Sequence, residues 1–405
     1  MTTKAATKKF GLSEKELFQT KPIIFKEGGF FGRCFGWILI VICTGSFISG
    51  PVFLALPPLL FPSFPRVALG VLILDILLLL WPAKPWPAFR KCFQSWYDIF
   101  QIRTNLHPEA STYNLPKDYL SIAAMHPHGI IPLQGFFWAG ICDQFFPHMY
   151  GFGATTDIAM RLPLLRSILK WLSSDSASKP TILHHMENLG QNLYILPGGV
   201  AEIFLSRRKQ HIMSERKIID DDKDKKTETD MNKKTKEPFV QVIKGRRHGL
   251  MKLALQTGAL IIPVYVFGGN DFFHQLGTAF DQENDETENE KTNTSITKKI
   301  GEILARLSRY LQGGITFYWG QYYIPFLIPY TPKCSMVMGD PIVPVPGTEG
   351  EEKTTCGTKQ TCRKVSNPTQ EQIQELMDRY VQAMENLFDQ YKEQAGYGDD
   401  ILKVI

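Results

Sequence analysis

The sequence YLSIAAMHPHG, residues 119–129, places an apolar run directly before two histidines. A short apolar run followed by proline and glycine predicts a buried strand that ends at the histidines. Pro127 fixes its own φ and biases His126 toward extended backbone, and Gly129 permits a sharp exit. An unperturbed imidazole titrates near neutral pH, so it can take a proton from a hydroxyl and return it. The stretch predicts acid–base chemistry at a strand end; the simpler alternative is two histidines in a surface loop.

Runs with strand and helix character alternate along the rest of the chain. The strand-like runs cover residues 120–125, 192–196, 260–267, 315–318 and 335–338. The helix-like runs cover residues 163–172, 250–257, 300–311 and a long segment from Thr369, where the sequence TQEQ has capping-box spacing. This alternation predicts the α/β class, with a sheet flanked by helices.

The N-terminal part of the chain is strongly apolar. No charged residue occurs between Arg33 and Arg66, and a second apolar run from Val67 to Pro82 carries a single charge, Asp75. The first run is long enough to cross a bilayer at about 20 residues per crossing, whereas the second is marginal. The first run also starts too far into the chain for a cleaved signal peptide. We predict a membrane hairpin, against the alternative of a buried core helix.

The charges that flank the apolar runs predict an orientation. Seven Lys and Arg residues precede the first run, and further cations follow the second run from Lys84 onward. Positively charged flanks stay in the cytosol, so both ends of the hairpin should face it. The predicted organisation is a cytosolic N-terminal tail over residues 1–33, the membrane hairpin over 34–83 and a cytosol-facing domain over 84–405. Densely polar stretches near 207–237, 281–299 and 346–368 are predicted insertions at the surface of that domain.

Composition excludes several classes of protein. The 405 residues carry a formal net charge of +5 and no long basic tract, which argues against a nucleic-acid-binding protein. The 7 cysteines include no C-x-x-C pair, so neither a zinc ribbon nor a disulfide framework is predicted. Reduced cytosolic thiols are the expected state.

A second candidate cluster is PGGVAE, residues 197–202, which follows the predicted strand 192–196. Gly198 and Gly199 allow close approach of a substrate and can present backbone N–H groups to an oxyanion. Glu202 is a candidate to orient a catalytic imidazole or to fix the neighbouring loop. The alternative for Glu202 is a solvated acid that complements a helix dipole.

A basic loop, KGRRHG at residues 244–249, precedes the predicted helix 250–257. Cations oppose the dipole at a helix N-terminus, so Arg246 and Arg247 favour an anionic ligand such as the phosphates of coenzyme A. Arg161 and Arg166 offer a similar option, and ordinary surface arginines are the competing interpretation for both pairs.

Taken in order, these clusters resemble the type 2 diacylglycerol acyltransferase family, which includes monoacylglycerol acyltransferases and wax synthases. The resemblance covers the chain after the hairpin except the three polar insertions, and the hairpin is itself a family trait. The matching clusters are HPHG at 126–129, RLPLLR at 161–166, PGGVAE at 197–202, RHGLMKLA at 247–254, PVYVFGGND at 263–271, WG at 319–320 and GDPI at 339–342.

The resemblance implies a fold and an activity. It implies a glycerolipid-acyltransferase-like sheet and transfer of a fatty acyl group from acyl-CoA to the free hydroxyl of diacylglycerol, which yields triacylglycerol and CoA. It also implies the endoplasmic reticulum membrane, a cytosol-facing active site and the lipid droplet surface as a further location. Acyl-CoA is then a co-substrate and no cofactor is expected; the partners are acyl-CoA, diacylglycerol and membrane lipid, and a homo-oligomer is compatible.

The resemblance also implies roles for the residues of the matching motifs. His128, or as the second choice His126, is the general base. Glu202 supports the base, because the position five residues after His126 holds Ile131 rather than the aspartate of the broader glycerolipid acyltransferases. The expected oxyanion and substrate loop contains Gly129, Gly198 and Gly199, and the expected acyl-CoA-binding residues are Arg246, Arg247, Arg161 and Arg166. No metal is expected.

Three alternatives stay open at this point. Monoacylglycerol or a fatty alcohol can replace diacylglycerol as acceptor. The H-x-H pair also suits a metal-dependent hydrolase, although H-E-x-x-H is absent and His184, His185, His248 and His274 match that chemistry poorly. A non-catalytic scaffold on lipid droplets is the third alternative. A covalent serine mechanism is disfavoured because the sequence contains no G-x-S-x-G elbow.

Overall fold

The computed structural model describes residues 17–18, 29–104, 115–116, 118–145, 149–205, 240–276, 291–310, 313–346, 354–356 and 359–405. Across these residues the chain forms a mixed α/β fold. The insertion predicted near 207–237, and nearly all of the predicted N-terminal tail, lie outside the described residues.

A central sheet organises the domain. The described strands are β1 Leu17–Phe18, β2 Arg103–Thr104, β3 Leu115–Pro116, β4 Ser121–His126, β5 Gly151–Thr155, β6 Ser174–Ser176, β7 Asn192–Ile195, β8 Val240–Ile243, β9 Leu260–Phe267, β10 His274–Gln275, β11 Tyr318–Trp319, β12 Ser335–Met338, β13 Thr354–Cys356, β14 Lys359–Thr361 and β15 Ile401–Val404. Seven of them form one sheet in the order β2-β12-β9-β4-β7-β5-β6. All neighbours in it are parallel except β12 and β9. β8 and β15 pair separately, also in parallel.

The strands predicted from long apolar runs are confirmed as β4, β7, β9 and β12. The strand predicted over residues 315–318 is wrong, because only its last residue enters β11, which pairs with the short β10. β5 and β6 were not predicted, since they are rich in Gly and Ser. Their place is fixed by close packing instead: a Cβ on Gly153 would lie 2.3 Å from the Tyr194 ring.

Helices cover the sheet. The described α-helices are α1 Phe30–Leu60, α2 Pro65–Leu80, α3 Pro87–Cys92, α4 Trp96–Ile99, α5 Leu133–Phe145, α6 Leu165–Trp171, α7 Lys179–Leu183, α8 Val200–Leu205, α9 His248–Thr257, α10 Lys291–Tyr310 and α11 Gln370–Tyr391. The predicted capping box is confirmed, because the Thr369 hydroxyl accepts from the Gln372 N–H and the Gln372 amide oxygen accepts from the Thr369 N–H. α9 ends at Gly258 in the left-handed region, with φ +67°.

Two of the predicted insertions contain regular structure where they are described. α10 begins earlier than predicted, so residues 291–299 of the stretch near 281–299 are helical. In the stretch near 346–368, β13 and β14 form a hairpin. Its residue Gln360 exchanges backbone hydrogen bonds with the segment before β4: Leu120 N–H to Gln360 O at 2.8 Å and Gln360 N–H to Asp118 O at 2.7 Å. That hairpin therefore packs on the edge of the core rather than standing apart.

The two faces of the sheet carry different layers. Ile122 and Ala124 of β4 belong to a cluster formed with α9 and α11, whereas Ala123 and Met125 belong to a cluster with α1, α4 and α5. Successive side chains of a strand point to opposite faces. His126 therefore lies on the face that α11 covers.

The first half of α1 is part of the core. Leu39, Ile40 and Cys43 are at most 4% exposed and pack in the cluster under β4. The Trp96 indole N–H donates to the Gly36 carbonyl at 3.1 Å, and the Thr44 hydroxyl donates to the Leu327 carbonyl at 2.6 Å. α1 is also the one described helix that is long and apolar enough to cross a membrane, and α2, which packs against it, is shorter.

Candidate active site

Three neighbouring strands deliver the candidate residues to one edge of the sheet. β4 lies between β7 and β9, and the three strands are parallel, so their carboxyl ends meet. His126 ends β4, the PGG turn follows β7, and Gly268 and Gly269 follow β9. Ligands of open α/β sheets bind outside the carboxyl ends of the strands, so this edge is the expected location of a site.

A buried histidine–carboxylate pair lies at this edge. His126 Nδ1 is 2.7 Å from Glu202 Oε1, and neither side chain is exposed. A carboxylate only accepts hydrogen bonds when it is ionised, so Nδ1 carries the proton and donates. The position of Glu202 in the first turn of α8 brings it back toward the turn that follows β7. The sequence prediction that Glu202 orients an imidazole is consistent with this pair.

Glu202 also fixes two backbone segments. Its Oε2 accepts from the His128 N–H at 2.6 Å, and its Oε1 accepts from the Lys244 N–H at 2.7 Å. Burial alone would raise the pKa of this carboxyl, but the His126 ring and the two backbone donors outweigh burial, and the pKa lies below its usual range. Glu202 is therefore a buried anion that ties the HPHG loop to the basic loop.

His128 lies two residues further along the same loop. Its Nδ1 lies 2.8 Å from the Gly129 carbonyl, which can only accept, so Nδ1 is the protonated nitrogen of the neutral ring. The side chain is partly exposed, and no described residue hydrogen bonds to its Nε2. Partial burial lowers the pKa of this imidazole below 6.5, although the Gly129 hydrogen bond opposes the shift. A neutral ring with an accessible lone pair is suited to accept a proton.

Glycine is required at two places in the site. Gly129 has φ +66°, and a Cβ there would lie 2.6 Å from the Gly269 carbonyl oxygen. A Cβ on Gly198 would lie 1.8 Å from the carboxyl carbon of Glu202. The Glu202 side chain therefore lies directly over the PGG turn, and no larger residue fits at Gly198 without displacing it.

Of the two predicted oxyanion glycines in the PGG turn, Gly199 is already engaged through its N–H. The Gly199 N–H donates to the Leu196 carbonyl at 3.2 Å within the turn. The Gly198 carbonyl accepts a short hydrogen bond from Arg247 Nη2. Gly198 therefore remains the better candidate for presenting its N–H to a substrate.

Two functional candidates were missed in the sequence. The Gln134 amide, fully buried in α5, donates to the Pro127 carbonyl and, at 2.7 Å, to the His128 carbonyl. Tyr380 of α11 lies with its ring centroid 6.3 Å from that of His126. The Tyr380 hydroxyl and His126 Nε2 are both buried, and neither has a hydrogen-bond partner among the described residues. Tyr380 fits the apolar stripe of its helix, so periodicity classed it as core and gave no signal of a polar role.

Comparison with known proteins identifies the family. A sequence profile of the diacylglycerol acyltransferase family matches residues 84–218 and 230–405. The chain belongs to this family.

Individual members of the diacylglycerol acyltransferase family resemble the chain at modest identity. The mouse diacylglycerol O-acyltransferase 2-like protein 6 is 26% identical over 392 residues, which cover 89% of this chain and 91% of that protein. The Dictyostelium discoideum diacylglycerol O-acyltransferase 2 is 26% identical over 293 residues, covering 70% and 68% respectively. The Xenopus tropicalis diacylglycerol O-acyltransferase 2 is 25% identical over 319 residues, covering 76% and 70%. No solved structure matches the chain.

The predicted arginines occupy different places in this diacylglycerol acyltransferase family member. Arg247 is attached to the PGG turn, whereas Arg246 is at the surface, 3.2 Å from Asp378. Arg166 donates to the Trp81 carbonyl at the end of α2 at 3.0 Å, and Arg161 is exposed. The structure thus brings one of the four arginines, Arg247, into contact with the candidate loops.

Membership of the diacylglycerol acyltransferase family gives the metal-dependent hydrolase alternative no support. Among the residues that the structure describes, no group of three or more His, Cys, Asp or Glu side chains is placed to hold a metal ion. His185 instead lies between Asp175, at 3.1 Å, and Gln191, at 2.7 Å. The ring contacts of His274 are with Trp319 and Tyr330.

Proposed function

We propose that this chain transfers a fatty acyl group from acyl-CoA to the free hydroxyl of diacylglycerol, with triacylglycerol and CoA as products. The observation that carries the proposal is His128, a neutral imidazole with an accessible Nε2, set on a loop that the buried His126–Glu202 pair holds in place. Family membership supplies the reaction class.

The proposed reaction is a direct transfer. His128 Nε2 takes the proton of the acceptor hydroxyl while the oxygen attacks the thioester carbon. The Gly198 N–H stabilises the tetrahedral oxyanion. The carbon–sulfur bond then breaks, and the proton on His128 passes to the departing CoA sulfur. His126 is the second candidate for the base: its Nδ1 lies 2.7 Å from Glu202, which leaves Nε2 as the other ring nitrogen, but that atom is buried.

The basic loop is the proposed site for the phosphates of acyl-CoA. Arg246 is 43% exposed on its side chain, and its ion pair with Asp378 is at the surface, where such pairs contribute little. It is therefore free to exchange Asp378 for a phosphate at little cost. Arg247 instead donates to the Gly198 carbonyl of the PGG turn, so in this arrangement it does not contact a phosphate.

A pair of arginine variants tests the donor site. Arg246→Ala should raise the KM for acyl-CoA severalfold and leave that for diacylglycerol unchanged, because diacylglycerol carries no phosphate. Arg247→Ala should lower kcat, since it releases the PGG turn. Arg161→Ala, an exposed arginine elsewhere, is the matched control. An increase in the KM for acyl-CoA with Arg161→Ala alone would move the donor site to the RLPLLR segment at residues 161–166.

The membrane location is part of the proposal. α1 and α2 form the proposed hairpin over residues 34–83, with both flanks in the cytosol. Support comes from the exposed apolar side chains of α2, among them Val67, Leu69, Ile73 and Leu77, each at least half exposed. We place the enzyme in the endoplasmic reticulum membrane and on lipid droplets, with a glycerolipid-acyltransferase-like domain of residues 84–405 facing the cytosol. It works with no cofactor and is compatible with a homo-oligomer.

Product analysis tests the activity. Purified protein in mixed micelles receives labelled acyl-CoA and equal amounts of diacylglycerol, monoacylglycerol and a long-chain alcohol. The expected main product is labelled triacylglycerol, absent with His128→Ala. A main product of diacylglycerol or wax ester would change the acceptor, and release of free fatty acid alone would refute acyl transfer.

A further inference from the structure

α10 carries an apolar stripe that no described residue covers. Ile300, Ile303, Leu307 and Tyr310 follow each other at helical spacing and are 37%, 63%, 41% and 84% exposed. Residues three and four apart lie on one side of a helix, so the four side chains form a continuous band. A soluble protein rarely exposes such a band without a partner surface.

The opposite side of α10 is packed against the active-site elements. Ala305 forms a small buried cluster with Ile203 and Phe204 of α8, the helix that supplies Glu202. The partly buried Leu304 packs on the same cluster. So do Ile130, next to the HPHG motif, and Val200, next to the PGG turn. α10 therefore has two apolar sides, and its inner one belongs to a cluster that also holds the residues directly after the HPHG motif and the PGG turn.

Cations border the outer stripe. Lys299 and Arg306 are exposed and lie beside it on the helical wheel, on the side away from the buried cluster. Arg309 is also exposed, and Glu302 is the single acid between residues 299 and 310. Bulky apolar residues flanked by Lys and Arg are typical of helices that lie in the plane of a membrane surface and bind anionic lipids.

The chain after α10 connects this surface to the proposed membrane anchor. It passes Phe317, which is 43% exposed, and reaches Tyr322 and Tyr323, which are 80% and 81% exposed. The end of that segment is held to α1, because the Leu327 carbonyl accepts from the Thr44 hydroxyl at 2.6 Å. Exposed tyrosines near an apolar helix suit the boundary between lipid and water.

We propose that the outer stripe of α10 lies in the headgroup region of an anionic bilayer. The membrane then contacts one side of α10, while the other side packs in the cluster with Ile130 and Val200, which directly follow the HPHG motif and the PGG turn. The inference goes beyond the proposed function, since it concerns a second membrane contact outside the hairpin. If the proposed function holds, this contact places the active site at the surface where a dissolved acyl-CoA and a membrane lipid meet.

A fluorescent label on the stripe tests the contact directly. Ile303→Cys is labelled with an environment-sensitive dye in the full chain, after Cys34, Cys92 and Cys356 have been replaced by serine; Cys43, Cys142, Cys334 and Cys362 are buried. The matched control is the same label on Glu375→Cys, an exposed position of α11. The protein is reconstituted into vesicles of phosphatidylcholine with or without phosphatidylserine, with spin-labelled lipid as quencher.

The expected result is quenching of the label at position 303, more strongly with phosphatidylserine and less in high salt, and none at position 375. A label that stays in water with every lipid mixture would overturn the proposal. The proposal would also be overturned if the fluorescence change at position 303 depended on protein concentration and two chains cross-linked through this position. The stripe would then bind a second copy of the chain.

A charged variant gives an independent measurement. Ile303→Glu combined with Leu307→Glu should lower transfer to diacylglycerol in phosphatidylserine vesicles by about tenfold or more, since two apolar side chains no longer partition into the interface. Transfer to short-chain diacylglycerol in detergent micelles should remain. Equal loss in both assays would refute a membrane role for the stripe, whereas wild-type protein inactive in micelles would refute the proposed function instead.

Discussion

At the scale of single residues, the proposed general base is His128. Its Nδ1 donates to the Gly129 carbonyl, so proton transfer must use Nε2, and partial burial lowers the pKa of the ring below 6.5. A group with a lowered pKa is neutral at every pH above that pKa. The base should therefore stay competent as pH falls through 6.5 and fail only when pH passes the lowered value.

This gives a prediction for the pH profile. kcat/KM should keep most of its value at pH 6.5, where an imidazole of ordinary pKa would be half protonated. His128→Ala should lower kcat by about 10²- to 10⁴-fold, the usual contribution of a general base, and should remove the acidic limb from the residual activity. An acidic limb that survives unchanged in His128→Ala would assign the base elsewhere, with His126 as the candidate.

Tyr380 gives a second prediction at the residue scale. A buried hydroxyl without a partner costs about 1–3 kcal/mol, so removing it should not weaken the fold. Tyr380→Phe should therefore keep or raise thermal stability. If the hydroxyl serves the His126 Nε2 or a reacting group, the same variant should lower kcat several-fold and shift the pH profile. Tyr391→Phe on the same helix is the control, and unchanged kinetics in both variants would leave Tyr380 as a core residue.

The sequence offers candidate site residues only where their chemistry is visible in motifs, and their roles stay predictions. His126, His128 and Glu202 belong to polar clusters that follow strands, and the structure places the first and last in direct contact. Gln134 lies in an apolar helix and Tyr380 in the apolar stripe of the amphipathic α11, where a single polar atom does not alter the pattern. Only their buried atoms and their neighbours reveal them.

At the scale of elements, hydropathy predicts the long buried strands but not the elements whose position depends on contacts with neighbours. β4 and β9 are buried on both faces and read as continuous apolar runs, which predict strands. β5 contains Gly151 and Gly153, which weaken any strand pattern, and its position follows from contact with β7. α5 is apolar on all sides because it is buried, so no amphipathic period marks it.

The docking of α1 gives a prediction for an element. A Cβ on Gly36 would lie 2.8 Å from the Ser95 carbonyl oxygen and 2.8 Å from Ile99 Cδ1, whereas a Cβ on Gly32 would meet nothing within 4 Å. Gly36→Leu should therefore push α1 away from α4 and lower the unfolding temperature in detergent and the activity together. Gly32→Leu is the matched control on the same helix. Equal behaviour of the two variants would show that α1 does not pack on the domain in solution.

At the scale of the whole molecule, the proposed membrane anchor and the rest of the chain are not independent units. α1 contributes Leu39, Ile40 and Cys43 to the cluster under β4, and the Thr44 hydroxyl binds the Leu327 carbonyl. Sequence marked the apolar runs as a hairpin that precedes a separate domain, because hydropathy reports the composition of a segment and not what packs against it. A helix whose one side packs in the protein core and whose other side is exposed and apolar can contact the bilayer and the domain at the same time.

The last prediction follows from that arrangement. Full burial of an aliphatic side chain contributes about 1.5–3 kcal/mol, so losing the buried side chains of α1 removes an amount comparable with the whole stability of about 5–15 kcal/mol. A chain of residues 84–405 should therefore aggregate or be digested rapidly by protease, and should not transfer acyl groups in micelles. Leu72→Ser with Ile76→Ser changes only exposed side chains of α2. We therefore expect this variant to be extracted from membranes more easily by alkaline carbonate, while its activity in micelles persists. A soluble, fully active chain of residues 84–405 would show instead that α1 serves as an anchor alone.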